Sequence, residues 1–399
     1  MNIRKLDQET LKNLNRQIIL NYIRKYREIS RIDLAEHTKL SPTTVSSITS
    51  ELIQKGIVTE TRIGESNGGR RPVMVGINPM SACIITTILT PKGIRYALAD
   101  LNCDIYGEKY VKCTIDSSDK AMDVILNSIQ DIKGGFPDAA GKIYGITISI
   151  PGVIDHEEGK VLYSSRLNIK DFNMASEVKR KTGIDCYVFK DTDAFILGEH
   201  RFGVAIGYEN FVYIIVENGV GMSYINSGKL FKPGPSGGFE LGHMTIDSNG
   251  PECSCGNRGC LGTVVSEIPI LNRIKKLKEK GYETCIVNTD KLSLSDIVDF
   301  SNKNDKAARY VLEEQARLLG IAVATVVNLL NPELVVIGGP LSKCRWGFLD
   351  ILNDCVKDRA LQIYSKNTTI KFARPGEESA LKGMADEIYE RDIFRPVEI

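Results

Sequence analysis

Four side chains suited to binding zinc lie close together in the second half of the chain. His243 is followed by Cys253, Cys255 and Cys260, which gives one imidazole and three thiols. This ligand set is typical of closed tetrahedral zinc sites, and soft sulfur ligands favour zinc over magnesium or calcium. Two glycines between the last two cysteines allow the tight turns that such close ligands need. The spacing predicts a structural zinc ion, and a redox pair or a chance clustering of cysteines is the alternative.

Glu240 lies three residues before His243. One short helical turn would therefore place both side chains on the same side of the backbone. If Nδ1 of His243 binds the metal, its Nε2 can face a pocket together with Glu240. In this hypothesis the zinc ion orients two polar groups toward a small-molecule ligand.

The composition excludes some classes of protein and leaves others open. A chain of 399 residues is longer than one core usually supports, so we expect two or three domains. The formal net charge is +1, so any binding to DNA must depend on a local basic surface. Ten cysteines in a chain of this length fit a reducing compartment better than a framework of disulfides.

The sequence also lacks the signs of export or membrane insertion. The first residues, MNIRKLDQETLKNLNRQ, contain no apolar core of a signal peptide. No apolar run approaches the roughly 20 residues that a membrane-spanning helix needs. We therefore expect a cytoplasmic protein.

Residues 1–78 follow the pattern of a winged helix-turn-helix domain. Apolar residues recur at helical spacing over residues 10–26, and Ser30 can cap a second, short helix. Ser41 can cap a third helix that ends at Gly56, and this is the helix expected to enter a major groove. Val45, Ile48, Leu52 and Ile53 form its predicted buried stripe, and Thr49 is placed on the polar face. The predicted groove contacts are Ser41, Thr43, Thr44, Ser46 and Ser47.

A basic hairpin follows the third helix. Two strand-like runs, residues 57–63 and 71–77, flank the sequence GESNGGRR, with Gly68-Gly69 at the tip. Arg70 and Arg71 suit a narrow minor groove, where arginine responds to groove width and potential. The whole segment is predicted to bind DNA, and a three-helix interaction module with a solvated basic loop is the alternative.

Residues 79–399 alternate between apolar strands and helices, and the pattern occurs twice. It predicts an α/β body of two lobes, residues 79–200 and 201–377, with a last helix at 378–395 that packs back on the first lobe. Ligands in such folds lie at the carboxyl ends of strands. Asp191 and Glu217 both follow predicted strands, so we expect them near a cleft between the lobes.

Several motifs together resemble the ROK family, a group of repressors, open reading frames and kinases. They are the winged helix with its GGRRP tip, SIPGVID, KDTDAFILGE, the Glu240 to Cys260 segment and NLLNPELVVIGGPLS, and they span essentially the whole chain. The resemblance is to the repressor branch, of xylose-repressor type. It implies a winged helix joined to a body of the actin/hexokinase fold, with a sugar effector in the interlobe cleft near the zinc site. It also implies a homodimer or tetramer that represses carbohydrate-utilisation genes.

The chain departs from the kinases of that family at the positions that serve phosphate transfer. The metal-binding Asp of the first turn is Ile88 here, and Pro91 removes a backbone donor nearby. The second phosphate loop has Glu217 where kinases have glycine, and a carboxylate there would repel a triphosphate. We therefore predict a protein that is not an enzyme. The rival hypothesis is a ROK sugar kinase with an accessory DNA-binding domain.

The sugar-binding positions are also altered. Asp191, Glu240 and His243 match the family, whereas Arg166 and Lys190 replace asparagines. A glutamate after the last cysteine is lost as well. If both cations face the pocket, an anionic sugar derivative is the predicted effector. The alternatives are that the cations pair with Asp191 and Glu240 and close the pocket, or that the effector is a neutral sugar.

A last set of expectations concerns control. Asp191 occupies the position of the kinases' general base and is expected to accept a hydrogen bond from a ligand hydroxyl, although it could simply cap the next helix. Ligand binding is expected to change the lobe angle and so the spacing of two recognition helices, with relief of repression as the default. A regulator controlled by a protein partner, with a non-functional sugar pocket, is the third hypothesis.

Overall fold

The computed structural model describes residues 8–64, 71–234, 237–290, 292–374 and 376–394. The chain divides into two compact units. The first comprises Met1–Ile150, Glu158–Phe189 and Met384–Ile399, and the second comprises Pro151–Glu157 and Lys190–Gly383. The predicted lobe boundary at residue 200 differs from this division, because the helix that begins at Asp191 packs on strands of the second unit. Among the described residues, no helix combines the length and apolarity needed to cross a bilayer.

The N-terminal domain has three helices and a small sheet. Its elements are α1 (Gln8–Tyr26), β1 (Glu28–Ser30), α2 (Arg31–Thr38), α3 (Pro42–Gln54), β2 (Val58–Ile63) and β3 (Val73–Ile77). The strands pair in the order β1-β3-β2, and β1 was not predicted from the sequence. Leu34, Val45 and Leu52 are fully buried and form part of the domain core. The predicted tip Gly68-Gly69 and Arg70 lie outside the described residues.

The helix starts in this domain follow the predicted capping chemistry. The Ser30 hydroxyl accepts a hydrogen bond from the Asp33 amide at 3.1 Å, and the Ser41 hydroxyl accepts one from the Thr44 amide at 3.1 Å. Each bond satisfies an amide that the helix leaves without a backbone partner. Thr49 was wrongly placed on the polar face. It is fully buried, and its hydroxyl donates to the Val45 carbonyl at 2.6 Å.

The rest of the first unit is built on a five-stranded sheet. Its elements are β4 (Cys83–Thr90), β5 (Gly93–Ala99), β6 (Ile105–Lys112), α4 (Ser118–Gly135), α5 (Pro137–Ala140) and β7 (Ile143–Ile150), then, after β8 (Val153–Asp155) of the second unit, β9 (Lys160–Ser164), β10 (Ile169–Phe172), α6 (Met174–Thr182) and β11 (Cys186–Lys190). The strand order is β11-β7-β4-β5-β6, with β4 parallel to β7 and antiparallel to β5. The three-strand meander is confirmed, whereas the β9–β10 hairpin was not predicted.

The second unit repeats this plan with more helices. Its elements are α7 (Asp191–Phe202), β12 (Phe211–Val216), β13 (Val220–Asn226), β14 (Lys229–Leu230), α8 (Gly262–Val265), α9 (Glu267–Glu279), α10 (Leu294–Asn302), α11 (Lys306–Leu330), β15 (Leu334–Gly338), α12 (Phe348–Arg359), α13 (Gln362–Ser365), β16 (Thr369–Phe372) and α14 (Glu378–Tyr389). The strand order is β14-β13-β12-β15-β16. A continuous apolar core joins this sheet to α11, α12 and their neighbours, and it holds the strand ends that carry the candidate site in place.

Helix α14 is shared between the units. Its residues up to Gly383 belong to the second unit, and those from Met384 belong to the first. The Tyr389 hydroxyl is 3.1 Å from the carbonyl oxygens of Ala82 and Ala99. These contacts join the last residue of α14 to the residue before β4 and to the last residue of β5.

Candidate functional sites

The four predicted zinc ligands come together in the second unit. The donor atoms of His243, Cys253, Cys255 and Cys260 all lie within 4.8 Å of one another. Nδ1 of His243 is 3.6 Å from Sγ of Cys253, and Sγ of Cys255 is 3.8 Å from Sγ of Cys260. Tetrahedral zinc with ordinary bond lengths needs about 3.6 Å between nitrogen and sulfur and about 3.8 Å between two sulfurs. The donor set and its spacing therefore fit a tetrahedral metal ion.

Local backbone geometry brings these ligands together. Gly256 and Gly259 have φ angles of +91° and +66°, which side-chain-bearing residues rarely adopt. A Cβ atom on Gly259 would lie 1.5 Å from the Asp247 carbonyl oxygen, so only glycine fits there. His243 ends a 3-10 turn at Leu241–His243, and its amide donates to the Glu240 carbonyl at 2.9 Å. The predicted short turn between Glu240 and His243 is thus present.

The thiols of Cys253 and Cys260 have pKa values that are shifted in opposite directions. Burial raises the pKa of Cys253, but hydrogen bonds from Cys255 and neighbouring groups outweigh it and lower the pKa overall. Burial and the adjacent thiols raise the pKa of Cys260 to about 12. Three thiolates this close repel one another, and a bound cation is what would allow all of them to ionise.

A small cavity with both polar and apolar lining residues lies within the second unit. Its volume is about 20 Å³, which is room for about one water molecule. Three groups of residues surround it: a loop segment that contains His156, the β11–α7 junction, and strand β13 with the segment before the zinc cluster. The lining residues are Val153, Ile154, His156, Lys190, Asp193, Met222, Ser223, Phe231, Pro233, Gly237, Gly238, Phe239 and Glu240.

An ion pair closes one side of this cavity. Nζ of Lys190 is 2.7 Å from Oε1 of Glu240 and 3.4 Å from the Gly238 carbonyl oxygen. The Lys190 side chain is 13% exposed and that of Glu240 is 42% exposed, so the pair lies at the cavity rim. The positive charge of Lys190 is therefore compensated by the Glu240 carboxylate of the same unit.

A second polar cluster lines the cavity and was missed by the sequence analysis. Nε2 of His156 is 3.3 Å from one carboxylate oxygen of Asp193. The other oxygen is 2.5 Å from the Ser223 hydroxyl, which is also 2.7 Å from the Thr192 hydroxyl. Asp193 lies two residues after Asp191 in the same helix, but nothing in the sequence pairs it with His156 or Ser223. The cluster gives the cavity wall several groups that can bind ligand hydroxyls.

The other two predicted ligand-binding residues, Asp191 and Arg166, belong to different units. Asp191 is the first residue of α7, and its Oδ1 accepts a hydrogen bond from the Thr192 amide at 2.8 Å. Arg166 is half-buried in the turn between β9 and β10, which belongs to the first unit. Of the five predicted ligand contacts, the structure therefore pairs Lys190 with Glu240 and places His243 in the zinc cluster.

The positions that differ from kinases have ordinary structural roles. Ile88 is 3% exposed in β4, where it pairs with Arg95 of β5 and Ser149 of β7. In the second loop, the Glu217 amide donates to the Gly219 carbonyl at 2.9 Å. Ile88 is thus a buried core residue, and the Glu217 amide is bonded within its own loop.

The predicted groove contacts form one face of α3. Ser41, Thr43, Ser46 and Ser47 are exposed, and Thr44 is half-exposed. The Ser41 hydroxyl is 2.8 Å from the hydroxyls of both Thr43 and Thr44. Arg71 is exposed just before β3. The helix thus presents uncharged hydroxyl groups that can contact base edges and phosphates.

Two family descriptions match the chain, and together they cover most of it. Residues 91–390 match the ROK family, and residues 12–59 match a winged helix-turn-helix DNA-binding domain. The chain belongs to the ROK family. The match covers well over half of the sequence, and the winged helix is the additional N-terminal domain that the resemblance implied.

Curated relatives in this family are regulators. The chain is 31% identical to a xylose repressor of Caldicellulosiruptor bescii, over 94% of each protein. It is 27% identical to the DNA-binding transcriptional dual regulator NagC of Escherichia coli K12, over 94% of this chain and 93% of that protein. Both alignments include the N-terminal domain as well as the ROK body.

Solved structures extend the likeness to the fold. A ROK family transcriptional regulator, a homologue of the E. coli MLC protein, aligns with a TM-score of 0.81 and 28% identity over 94% of this chain and 95% of the other. A ROK hexokinase from Thermus thermophilus aligns with a TM-score of 0.62 and 22% identity over 77% of this chain and 99% of its own. The ROK body therefore has the fold that kinases of the family share.

Proposed function

We propose that this chain is a sugar-responsive transcriptional repressor of carbohydrate-utilisation genes. The observation that carries the proposal is a winged helix with an exposed hydroxyl-rich third helix on the same chain as a ROK body whose cavity is lined by Lys190, Glu240 and Asp193. Relatives named xylose repressor and N-acetylglucosamine repressor support the class of genes. DNA and a carbohydrate are then the two ligands of the protein.

The DNA-binding half of the proposal rests on α3. Ser47 is exposed on the predicted groove face, and a carboxylate there would face the phosphate backbone. Duplexes selected from a random library by the full-length protein should bind it at a defined sequence. Ser47→Glu should weaken that binding at least about tenfold, the loss of one good groove contact plus charge repulsion. Thr114→Glu, which adds the same charge at an exposed site of the body, should leave it unchanged.

We further propose that the effector is a sugar bearing an anionic group. Lys190 is mostly buried and its partner is Glu240, so a ligand that enters the cavity must separate the two. A buried cation left without a partner is costly, and a ligand phosphate or carboxylate would replace Glu240 at Lys190. Glu240 and the Asp193 cluster would then accept hydrogen bonds from the sugar hydroxyls.

Calorimetry of the full-length protein can separate the effector hypotheses. Xylose, glucose and N-acetylglucosamine are compared with their phosphates and with sugar acids. We expect the anionic compounds to bind and to weaken DNA binding, and Lys190→Met to remove the preference. Binding of neutral sugars alone contradicts the anionic effector. The absence of a thermal shift with every compound favours control by a protein partner, and ATP-dependent turnover of any sugar contradicts the proposal of a non-enzymatic regulator.

Zinc is the metal that we propose for the Cys₃His cluster. Four protein ligands would fill the tetrahedral shell, so the ion would have a structural role with no open position for catalysis. The ion would hold the segment between Glu240 and Cys260 in the conformation that places Glu240 beside Lys190. The metal would thus shape the cavity without contacting the sugar through an open site.

The proposed mechanism of control is linkage between the two ligands. A sugar can change DNA affinity only by binding one conformation of the protein better than another. The cavity of about 20 Å³ is too small for a monosaccharide, so the sugar selects a more open arrangement around Lys190 and Glu240. We propose a homodimer, because paired recognition helices must match the spacing of two half-sites on the duplex.

A further inference from the structure

The first helix of the DNA-binding domain is joined to the last helix of the chain by a buried ion cluster. The Arg24 guanidinium bonds to the Asp386 carboxylate, and its Nη1 donates to Oε1 of Glu390 at 2.6 Å. The same guanidinium lies 4.2 Å from the ring centroid of Phe394. The Asn21 side chain donates to the Phe394 carbonyl at 2.8 Å. We call Arg24, Asp386, Glu390 and Phe394 the Arg24 cluster.

The Arg24 cluster is specific in its geometry. Asp386 is 3% exposed, and the Arg24 guanidinium to which it bonds compensates its charge. Burial lowers the pKa of Arg24, but Asp386, Cys103 and Glu390 outweigh it and raise the pKa overall, so the guanidinium stays charged. A planar guanidinium holds its donors in a fixed fork that can bond to two carboxylates while its face stacks on a ring, whereas an ammonium group is a point charge without that fixed geometry. The position of α1 is therefore tied to the position of α14.

At its other end, α14 is in direct backbone contact with the helix that borders the cavity. A Cβ atom on Gly383 would lie 2.3 Å from the Gly198 nitrogen, and one on Gly198 would lie 2.4 Å from the Ser379 carbonyl oxygen. No methyl group fits between the two helices at this crossing. The helix that contains Gly198 is α7, which carries Asp193 and begins directly after Lys190. A displacement of α7 therefore cannot be absorbed by loose side-chain packing against α14.

We propose that α14 transmits the state of the cavity to the DNA-binding domain, and that Arg24 is the positioning residue that completes this coupling. This inference rests on the proposed function, and it describes how the state of the cavity would regulate DNA binding. The contacts run from Lys190 and Asp193 through α7 to the Gly198–Gly383 crossing, then along α14 to the Arg24 cluster and α1. Tightly packed helices move as units, and a bonded cluster has discrete arrangements that both ends can favour or disfavour.

A double-mutant cycle on the full-length protein tests the coupling without a known effector. Lys190→Met removes the ion pair of the cavity, and Arg24→Met removes the Arg24 cluster. The dissociation constant for the selected duplex is measured for the four combinations. We expect Lys190→Met alone to change it at least about fivefold, within the range of ordinary allosteric coupling, and to change it less than about twofold in the Arg24→Met background.

A purely structural role for Arg24 gives a different result. Arg24→Met would then weaken DNA binding by the same factor with or without Lys190→Met, and that additivity would overturn the proposal. No effect of Lys190→Met in the wild-type background would overturn it too. If Arg24→Met does not fold, Arg24→Lys keeps the charge but lacks the planar fork that fixes the geometry of the cluster, and it should reduce the coupling in the same direction.

Hydrogen exchange gives a readout that does not depend on DNA binding. Lys190→Met should change deuterium uptake in residues 8–26, and Arg24→Met should remove that change. Arg95→Met is the matched control, because Arg95 pairs with Glu108 at 2.5 Å and lies 5.5 Å from the Tyr110 ring in the same unit. It should leave the coupling intact. If the wild-type protein selects no duplex, the proposed function fails, while the exchange data still support or overturn the coupling.

Discussion

At the scale of residues, two sets of polar side chains in the second unit have separate tasks. The Cys₃His cluster depends on the types and spacing of four residues that are close in sequence, and its donor distances fit a tetrahedral metal ion. The cavity is lined by charged residues from distant segments of the chain, and Nζ of Lys190 lies 2.7 Å from Oε1 of Glu240. The two sets meet at Glu240, which precedes His243 by one turn. Loss of the metal should therefore disturb the cavity as well as the fold.

Removal of one zinc ligand tests this relation. The purified protein should contain one zinc ion per chain, and Cys260→Ser should reduce the zinc content to near zero. Because metal binding to such clusters is coupled to folding, the variant should also lose several kcal/mol of stability in the second unit. Cys285→Ser is the control, since Cys285 is exposed and lies outside the cluster. Mass spectrometry under native conditions and thermal unfolding are the measurements, and an unchanged zinc content in Cys260→Ser contradicts the assignment.

At the scale of elements, the long helix α11 organises the core of the second unit. Asp305 caps its start, with Oδ1 accepting from the Ala308 amide at 2.9 Å. The other oxygen accepts from the Cys285 amide at 2.7 Å and the Thr284 hydroxyl at 2.9 Å. One carboxylate thus fixes both the helix start and the chain segment that precedes α10. Burial raises the pKa of Asp305, but these donors outweigh it and lower the pKa below its ordinary value of 3.8.

The lowered pKa predicts a pH-dependent effect of substitution. A carboxylate whose folded-state pKa is depressed stabilises the protein above its unfolded pKa, and this contribution is lost as the pH falls through the folded pKa. Asp305→Asn should cost about 1 kcal/mol at pH 7, since the donors lose a charged acceptor and an amide nitrogen replaces one oxygen, and the cost should shrink below pH 3.8. Asp350→Asn, at an exposed site in the first turn of α12, should show little effect at either pH. Urea unfolding at pH 7 and pH 3 measures the free energy of unfolding of both variants. A loss of stability in Asp305→Asn that does not vary with pH contradicts the role of the charge.

At the scale of the whole molecule, the proposed function requires that sugar binding to the chain change its affinity for DNA. The formal net charge of +1 gives the protein no general attraction to DNA. In the proposed function, specific binding then depends on the α3 face and on a second copy that supplies another recognition helix. The winged helix and the ROK body are joined in the first unit by α1 and the end of α14, so the body can position the helix that reads DNA.

The proposed dimer has a measurable mass. Light scattering after size exclusion should give twice the 44.2 kDa of the chain. The selected duplexes should contain two inverted half-sites, since the symmetry of the operator follows that of the dimer. Ser47→Glu should keep the mass while losing DNA affinity, which separates assembly from recognition. A monomeric mass at the concentrations that saturate the duplex contradicts the dimer.

The elements that depend on local chemistry could be predicted from the sequence. Helical periodicity and the hydroxyl caps at Ser30 and Ser41 predicted the helices of the N-terminal domain, because each cap joins residues three apart. Gly256 and Gly259 predicted the turns of the segment between His243 and Cys260, because a positive φ angle is a local property of a single residue. Thr49 was the exception, since the face that a helix buries depends on the neighbours it packs against, and its hydroxyl is satisfied within its own helix.

Only the tertiary structure decided which distant charges meet. Lys190 and Glu240 are 50 residues apart, and Arg24 and Asp386 are 362 apart, so no local pattern relates them. The sequence by itself predicted the Cys₃His cluster, the winged helix and membership of the ROK family, because these are carried by residue types at fixed short spacings. The tertiary structure determined that the cavity holds an ion pair and that α14 binds α1, because long-range pairing follows from the packing of whole elements.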